Sequence, residues 1–150
     1  VSGWAPHPVT DPRGHLHGHA PRPAPPVDGP AWWTEFDYAR DLWNYGYYWE
    51  AHEVWEGLWH AVSREHPWGR LLQGLIKLAA AGVKAREGRP EGVRRHAVRA
   101  GELLASARAG WSNAGPIAAE VWERWLGIAD VIARQPTIQP ATDDQPAVVW

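Results

Sequence analysis

Prolines at positions 67, 90 and 116 punctuate the middle of the chain, and the long stretches between them repeat their apolar residues at helical spacing. Proline lacks the backbone N–H that a helix interior needs, and its ring clashes with the preceding turn. In the first turn neither matters, so a proline there marks a start. The pattern therefore predicts helices over 67–87, ending at Gly88, over 90–109, closing near Gly110, and over 116–134 after the break at Asn113-Ala114-Gly115. Upstream, Thr34 reads as the cap of a short helix running to Trp43, with Glu35 and Asp37 in its first turn. Asn44-Tyr45-Gly46 breaks that helix, and a second runs over 47–63. No strand-like alternation occurs between residues 31 and 135. Connections this short make sequential helices antiparallel neighbours. The predicted fold is all-α: a single-domain, antiparallel up-and-down helical bundle over 31–135, with three longer helices and shorter flanking ones.

The flanks have another character. Residues 1–30 contain eight prolines together with His7, His15, His17 and His19, and show no apolar periodicity. They read as an extended or polyproline-type arm. The alternating His15, His17 and His19 offer imidazoles to an adventitious transition metal, although such runs in Pro/Gly segments are more often solvated linkers. Residues 136–150 form a polar tail with an apolar end, Val148-Val149-Trp150, that reads as able to dock back. The 150 residues suffice for one cored domain. Cysteine is absent, which removes disulfides, thiolate metal sites and cysteine nucleophiles. No run of apolar residues is long enough for a membrane span, nor does the N-terminus have a signal-peptide core, so the expectation is a soluble, cytoplasmic protein.

Net charge is −2, and its distribution is uneven. Residues 31–66 carry seven acids against Arg40 and Arg64, whereas 84–108 are rich in Arg and Lys. Two solvated faces of opposite sign, attracting when packed together, account for this. The basic strip lacks the interleaved aromatics of a nucleic-acid surface, so nucleic acid is not the expected partner. Tryptophan is abundant, at twelve residues. Each can bury a large apolar area provided its indole N–H finds an acceptor.

The second helix holds the polar residues that matter. On a wheel of ~100° per residue, Glu56 lies ~40° to one side of His52, Trp59 ~20° and Tyr48 ~40° to the other, with Trp49 and Trp55 within ~60°. The face richest in aromatic surface thus carries a histidine and a carboxylate one turn apart, while Glu50 and Glu53 point to the rim or solvent. Burying ionisable groups is costly unless they are partnered. The expectation is a buried His52–Glu56 pair that either fixes helix packing or floors a small polar pocket. Gln73, alone among Leu71, Leu72, Leu75 and Ile76, is placed to complete its hydrogen bonds from the next helix. His96 would approach the same place, but its arginine neighbours favour the surface, and His60 and His66 read as surface or helix-end residues.

The run Tyr48 to Trp59, followed by Gln73-Gly74-Leu75-Ile76-Lys77-Leu78-Ala79, resembles the bacterial and archaeal family called domain of unknown function 309 over roughly residues 38–105. The resemblance rests on His, Glu four residues on, and Trp or Tyr three further, here His52, Glu56 and Trp59. It implies a small helical bundle of unestablished function, and a metal-binding role for those three positions. At Lys77 this chain departs from the family, which often has a second glutamine there.

The spelling His52-Glu53-x-x-Glu56 is only superficially that of H-E-x-x-H zinc proteases, since the second histidine is replaced and no third ligand is evident. The E-x-x-H signature of di-iron bundles is absent because position 49 is Trp. Two readings follow. In one, the domain is a binding or interaction module, compatible with a homodimer, whose His–Glu–Trp cluster shapes its core or a pocket. In the other, it is a metal-dependent or acid–base enzyme acting on a small substrate through His52 and Glu56, with a divalent metal as cofactor.

Overall fold

Three of the five helices begin with a proline in the first turn, where its missing N–H costs nothing. The computed structural model describes residues 23–63, 65–111 and 115–140. Its helices are α1 (Pro30–Asn44), α2 (Tyr48–Trp59), α3 (Pro67–Arg86), α4 (Pro90–Gly110) and α5 (Ala119–Arg134). Each packs on its neighbours in sequence, α3 against α4 most extensively, and no strand occurs among the described residues. The fold is the all-helical bundle expected. The histidines of the proline-rich arm and the Val148–Trp150 end lie outside the described residues.

Several boundaries differ from the expectation for local reasons. Helix α1 starts at Pro30, capped by Gly29, so Thr34 lies inside it and donates its hydroxyl back to the Pro30 carbonyl at 3.0 Å. Helix α2 stops at Trp59 rather than continuing to 63. Helix α5 opens at Ala119, three residues beyond Pro116, because Ile117 first turns into the core, where it is 8% exposed. At the start of α3, His66 is the helix-end residue predicted, and its Nδ1 accepts from the Trp68 backbone N–H at 3.2 Å. The chain after α5 returns to α3, where the Gln139 N–H donates to the Ala85 carbonyl at 2.9 Å.

The core is mainly aromatic. Trp68 of α3 meets Trp32, Trp33, Phe36 and Trp111 edge-on, with ring centroids 5.1–5.6 Å apart. Phe36 also reaches Trp55 of α2 and Trp125 of α5, so one ring links four helices. Such edge contacts add about 0.5–1.5 kcal/mol each beyond the buried area. No polar or charged residue is fully buried among the described residues. The buried indole nitrogens of Trp32, Trp55 and Trp111 have no acceptor there, contrary to the sequence expectation. Each unmade bond costs about 1–3 kcal/mol. Burying a whole indole, at roughly 25 cal/mol per Å², outweighs that.

Close helix approach is built on small residues. A Cβ on Gly82 would run into the Tyr48 ring, which seats the first turn of α2 on α3. A Cβ on Gly74 would come within 2.7 Å of Leu104, fixing α3 against α4. The named ion pairs are mostly local, as in Asp37–Arg40, Glu91–Arg94 and Arg99–Glu102, with Arg108–Glu123 joining α4 to α5. Pairing along single helices takes up the minority charge of each segment and leaves its excess in place.

Candidate metal centre on the flank of the second helix

Helix α2 buries Tyr48, Ala51, Trp55 and Leu58, a stripe at helical spacing that faces α1 and α3. Measured from the middle of that stripe, His52 stands ~80° round the helix and Glu56 ~120°. Both therefore lie on its flank. The expected burial of the pair is corrected accordingly: the His52 side chain is 19% exposed and that of Glu56 41%. Trp49 and Trp59, which made this face look like core, are themselves only partly buried.

The juxtaposition of His52 and Glu56 is as the spacing predicts, and a third group joins them. Nδ1 of His52 lies 3.7 Å from Oε2 of Glu56 and 3.7 Å from Oε1 of Glu53. Glu53 was expected at the rim, yet its side chain is only 23% exposed and turns toward the histidine. One ligand atom from each of the three lies within 4.8 Å of the others. The His52 ring is held in place by Trp49, one turn back, which stacks on it at 5.2 Å and 9°. Its Nδ1 is buried and makes no hydrogen bond. A separation of 3.7 Å is too long for one, since N···O hydrogen bonds run to ~3.2 Å.

The remaining residues sort differently. Trp59 packs against the core margin, and its ring meets His60 at 5.2 Å. Gln73 is partly buried and lines a groove of about 490 Å³ between α3 and α4, with Glu65, Arg70, Arg99, Glu102, Leu103 and Ser106. There Arg70 donates to the Ser106 hydroxyl and Arg99 to Glu102. His96 is drawn in further than its arginine neighbours implied. It is partly buried, and burial first, then the charges of Lys77, Arg95, Lys84 and His52, push it down to about 4. It is thus a neutral imidazole at pH 7, within electrostatic reach of His52. Lys77 of α3 and His52 of α2 thus both act on His96 of α4, a relation that a wheel of α2 alone does not contain.

The donor set suits a divalent ion. One imidazole nitrogen and two carboxylate oxygens match Zn²⁺ or Mn²⁺ better than a purely oxygen-seeking ion such as Ca²⁺. An ion ~2.1 Å from each of its ligands holds them ~3.4 Å apart in tetrahedral geometry. The two His52 separations of 3.7 Å need only a small inward movement to meet that, within a set no wider than 4.8 Å. The residues present therefore fit a metal, and His52, Glu53 and Glu56 would hold it.

No helix among the described residues is long and apolar enough to cross a membrane. No curated protein and no solved structure matches the chain. Residues 36–96, a segment that contains the whole His52-x-x-x-Glu56-x-x-Trp59 motif, match the family model described as Domain of unknown function (DUF309).

Proposed function

We propose that the protein is a helical binding module for a divalent cation, with His52, Glu53 and Glu56 as its ligands. The observation that carries this reading is the His52 Nδ1, buried, without a hydrogen bond, and equally distant at 3.7 Å from two carboxylates. A purely structural pair would close one of those gaps to hydrogen-bonding distance. Left open, an unmade bond at a buried nitrogen costs about 1–3 kcal/mol. A cation between the three atoms satisfies all of them at once. Three protein ligands also leave coordination positions for water or a bound molecule, as in metal sites that act on a ligand rather than closed structural ones.

The test is metal uptake by the full chain, without an affinity tag and with His15, His17 and His19 changed to Ala to silence the arm. Calorimetry with Mn²⁺ and Zn²⁺ should give one equivalent, lost in both His52→Ala and Glu53→Gln. Thermal melts should stay within about 1 kcal/mol of the parent, as for changes at a partly exposed position. Uptake that disappears with the arm histidines, or persists in His52→Ala, overturns the reading.

A further inference from the structure

The contacts of three glycines set the register of α2, α3 and α4. Gly82 of α3 abuts Tyr48 of α2, Gly92 of α4 abuts Lys84, and Gly74 abuts Leu104. Neighbouring helices run antiparallel, so one turn forward from Tyr48 to His52 is one turn back from Gly82 to Leu78. His52 is therefore level with Lys77 and Leu78 on α3. By the same reckoning His96 on α4 is level with Ala81, about one turn from Lys77. His52, Lys77 and His96 are all partly buried, and they stand at about the same level on three successive helices, of which α2 and α4 each pack on α3. The electrostatic effect of Lys77, Arg95 and His52 on His96 agrees with that placement.

The charges there balance only without a bound ion. Lys84 is taken by Glu87 at 2.7 Å. Lys77 and Arg95 have no carboxylate at ion-pair distance among the described residues. A divalent ion at His52, Glu53 and Glu56 would cancel the two carboxylates. Two positive charges then remain beside it, with neutral His96 offering an N–H. We propose that the metal-loaded site takes a phosphate-type oxyanion, held between the ion and the Lys77 ammonium, with His96 and Arg95 on the α4 side. This rests on the metal reading above and names the ligand class of that same site. A dianion matches the residual charge, whereas a monocarboxylate leaves half of it uncompensated. Lysine is a common phosphate partner as a point charge, and metal ions held by one or two carboxylates commonly complete their coordination with phosphate oxygens.

The experiment is calorimetric titration of inorganic phosphate into the Mn²⁺-saturated full chain, with the Mn²⁺ affinity of every variant measured first. Phosphate should bind the metal-loaded protein and not the metal-free one. A charge-assisted contact contributes about 1.5–3 kcal/mol, so Lys77→Gln should weaken phosphate at least about tenfold. Lys77→Arg should restore most of it, and Mn²⁺ affinity should not fall in either. Arg70→Gln, two turns along α3 and bonded to Ser106, should change phosphate affinity by no more than about twofold, because it removes only general surface charge. If Mn²⁺ binds and phosphate does not, or if Lys77→Gln binds phosphate as the parent does, this inference falls and the metal reading stands. If the parent takes up no Mn²⁺, the metal reading falls and takes this inference with it.

Discussion

Trp55 and His52 stand one turn apart on α2 and meet opposite surroundings. Trp55 is 1% exposed and packs towards Phe36 in a cluster that joins four helices. His52 is held by a single stacked ring, and beside it are two carboxylates that do not reach it. On the first side the ring contacts are apolar and shape-driven, so energy accumulates from area and packing even though the Trp55 indole nitrogen goes unmatched. On the second, polar groups are brought together without satisfying one another. A twelve-residue helix is too short to be stable alone, so its seat on α1 and α3 comes from the first side. Helix α2 thus separates its holding face from its polar face.

The largest effect expected is on the holding face. Trp68, 2% exposed with four edge-on ring partners, is the residue whose loss empties the most core. Trp68→Ala should destabilise the protein by about 3–5 kcal/mol in urea denaturation. His52→Ala in the same assay should cost far less. Equal losses from the two would mean that the flank holds the fold as well.

A smaller effect is expected where α2 is seated. Gly82→Ala places a methyl group against the buried Tyr48 ring, which has no space to retreat into. Overpacking of this kind costs about 1–3 kcal/mol, more than the intrinsic helix preference for Ala returns. Denaturation curves would decide it. A neutral or stabilising substitution would mean that α2 does not sit that close to α3. It would also loosen the register that sets His52 level with Lys77.

Much of this arrangement was legible in the sequence, and the exceptions have physical causes. Pro67 and Pro90 mark helix starts through their own covalent chemistry, which tertiary contacts do not change. Pro116 misleads because Ile117 is needed in the core before the helix can begin. Thr34 has the composition of a cap but lies one turn inside a helix that Pro30 had already opened. At the site, the closeness of His52 and Glu56 follows from i, i+4 geometry alone. Glu53 was missed because a wheel treats each side chain as a radial spoke, while a glutamate is long enough to swing a third of the way round. The burial of the pair does not follow from its aromatic neighbours, because Trp49 and Trp59 are themselves only partly buried. Lys77 and His96 depend on how three helices stack, which no single-helix pattern encodes.

The third face of α2 gives the smallest effect. Gly57 is exposed, and a Cβ built on it meets nothing within 4 Å. Glycine in a helix interior costs about 0.8–1.0 kcal/mol relative to alanine, because its unfolded backbone has more freedom to lose. Gly57→Ala should therefore stabilise the protein by up to about 1 kcal/mol, seen as a modest rise in the denaturation midpoint. Its neighbour Glu56 points elsewhere by ~100°, so Mn²⁺ uptake should be unchanged. A gain in stability with unaltered metal affinity would show that backbone stiffness in α2 and the chemistry of its flank are independent. A loss of metal affinity would instead mean that Glu56 reaches its ligand position through flexibility that Gly57 supplies.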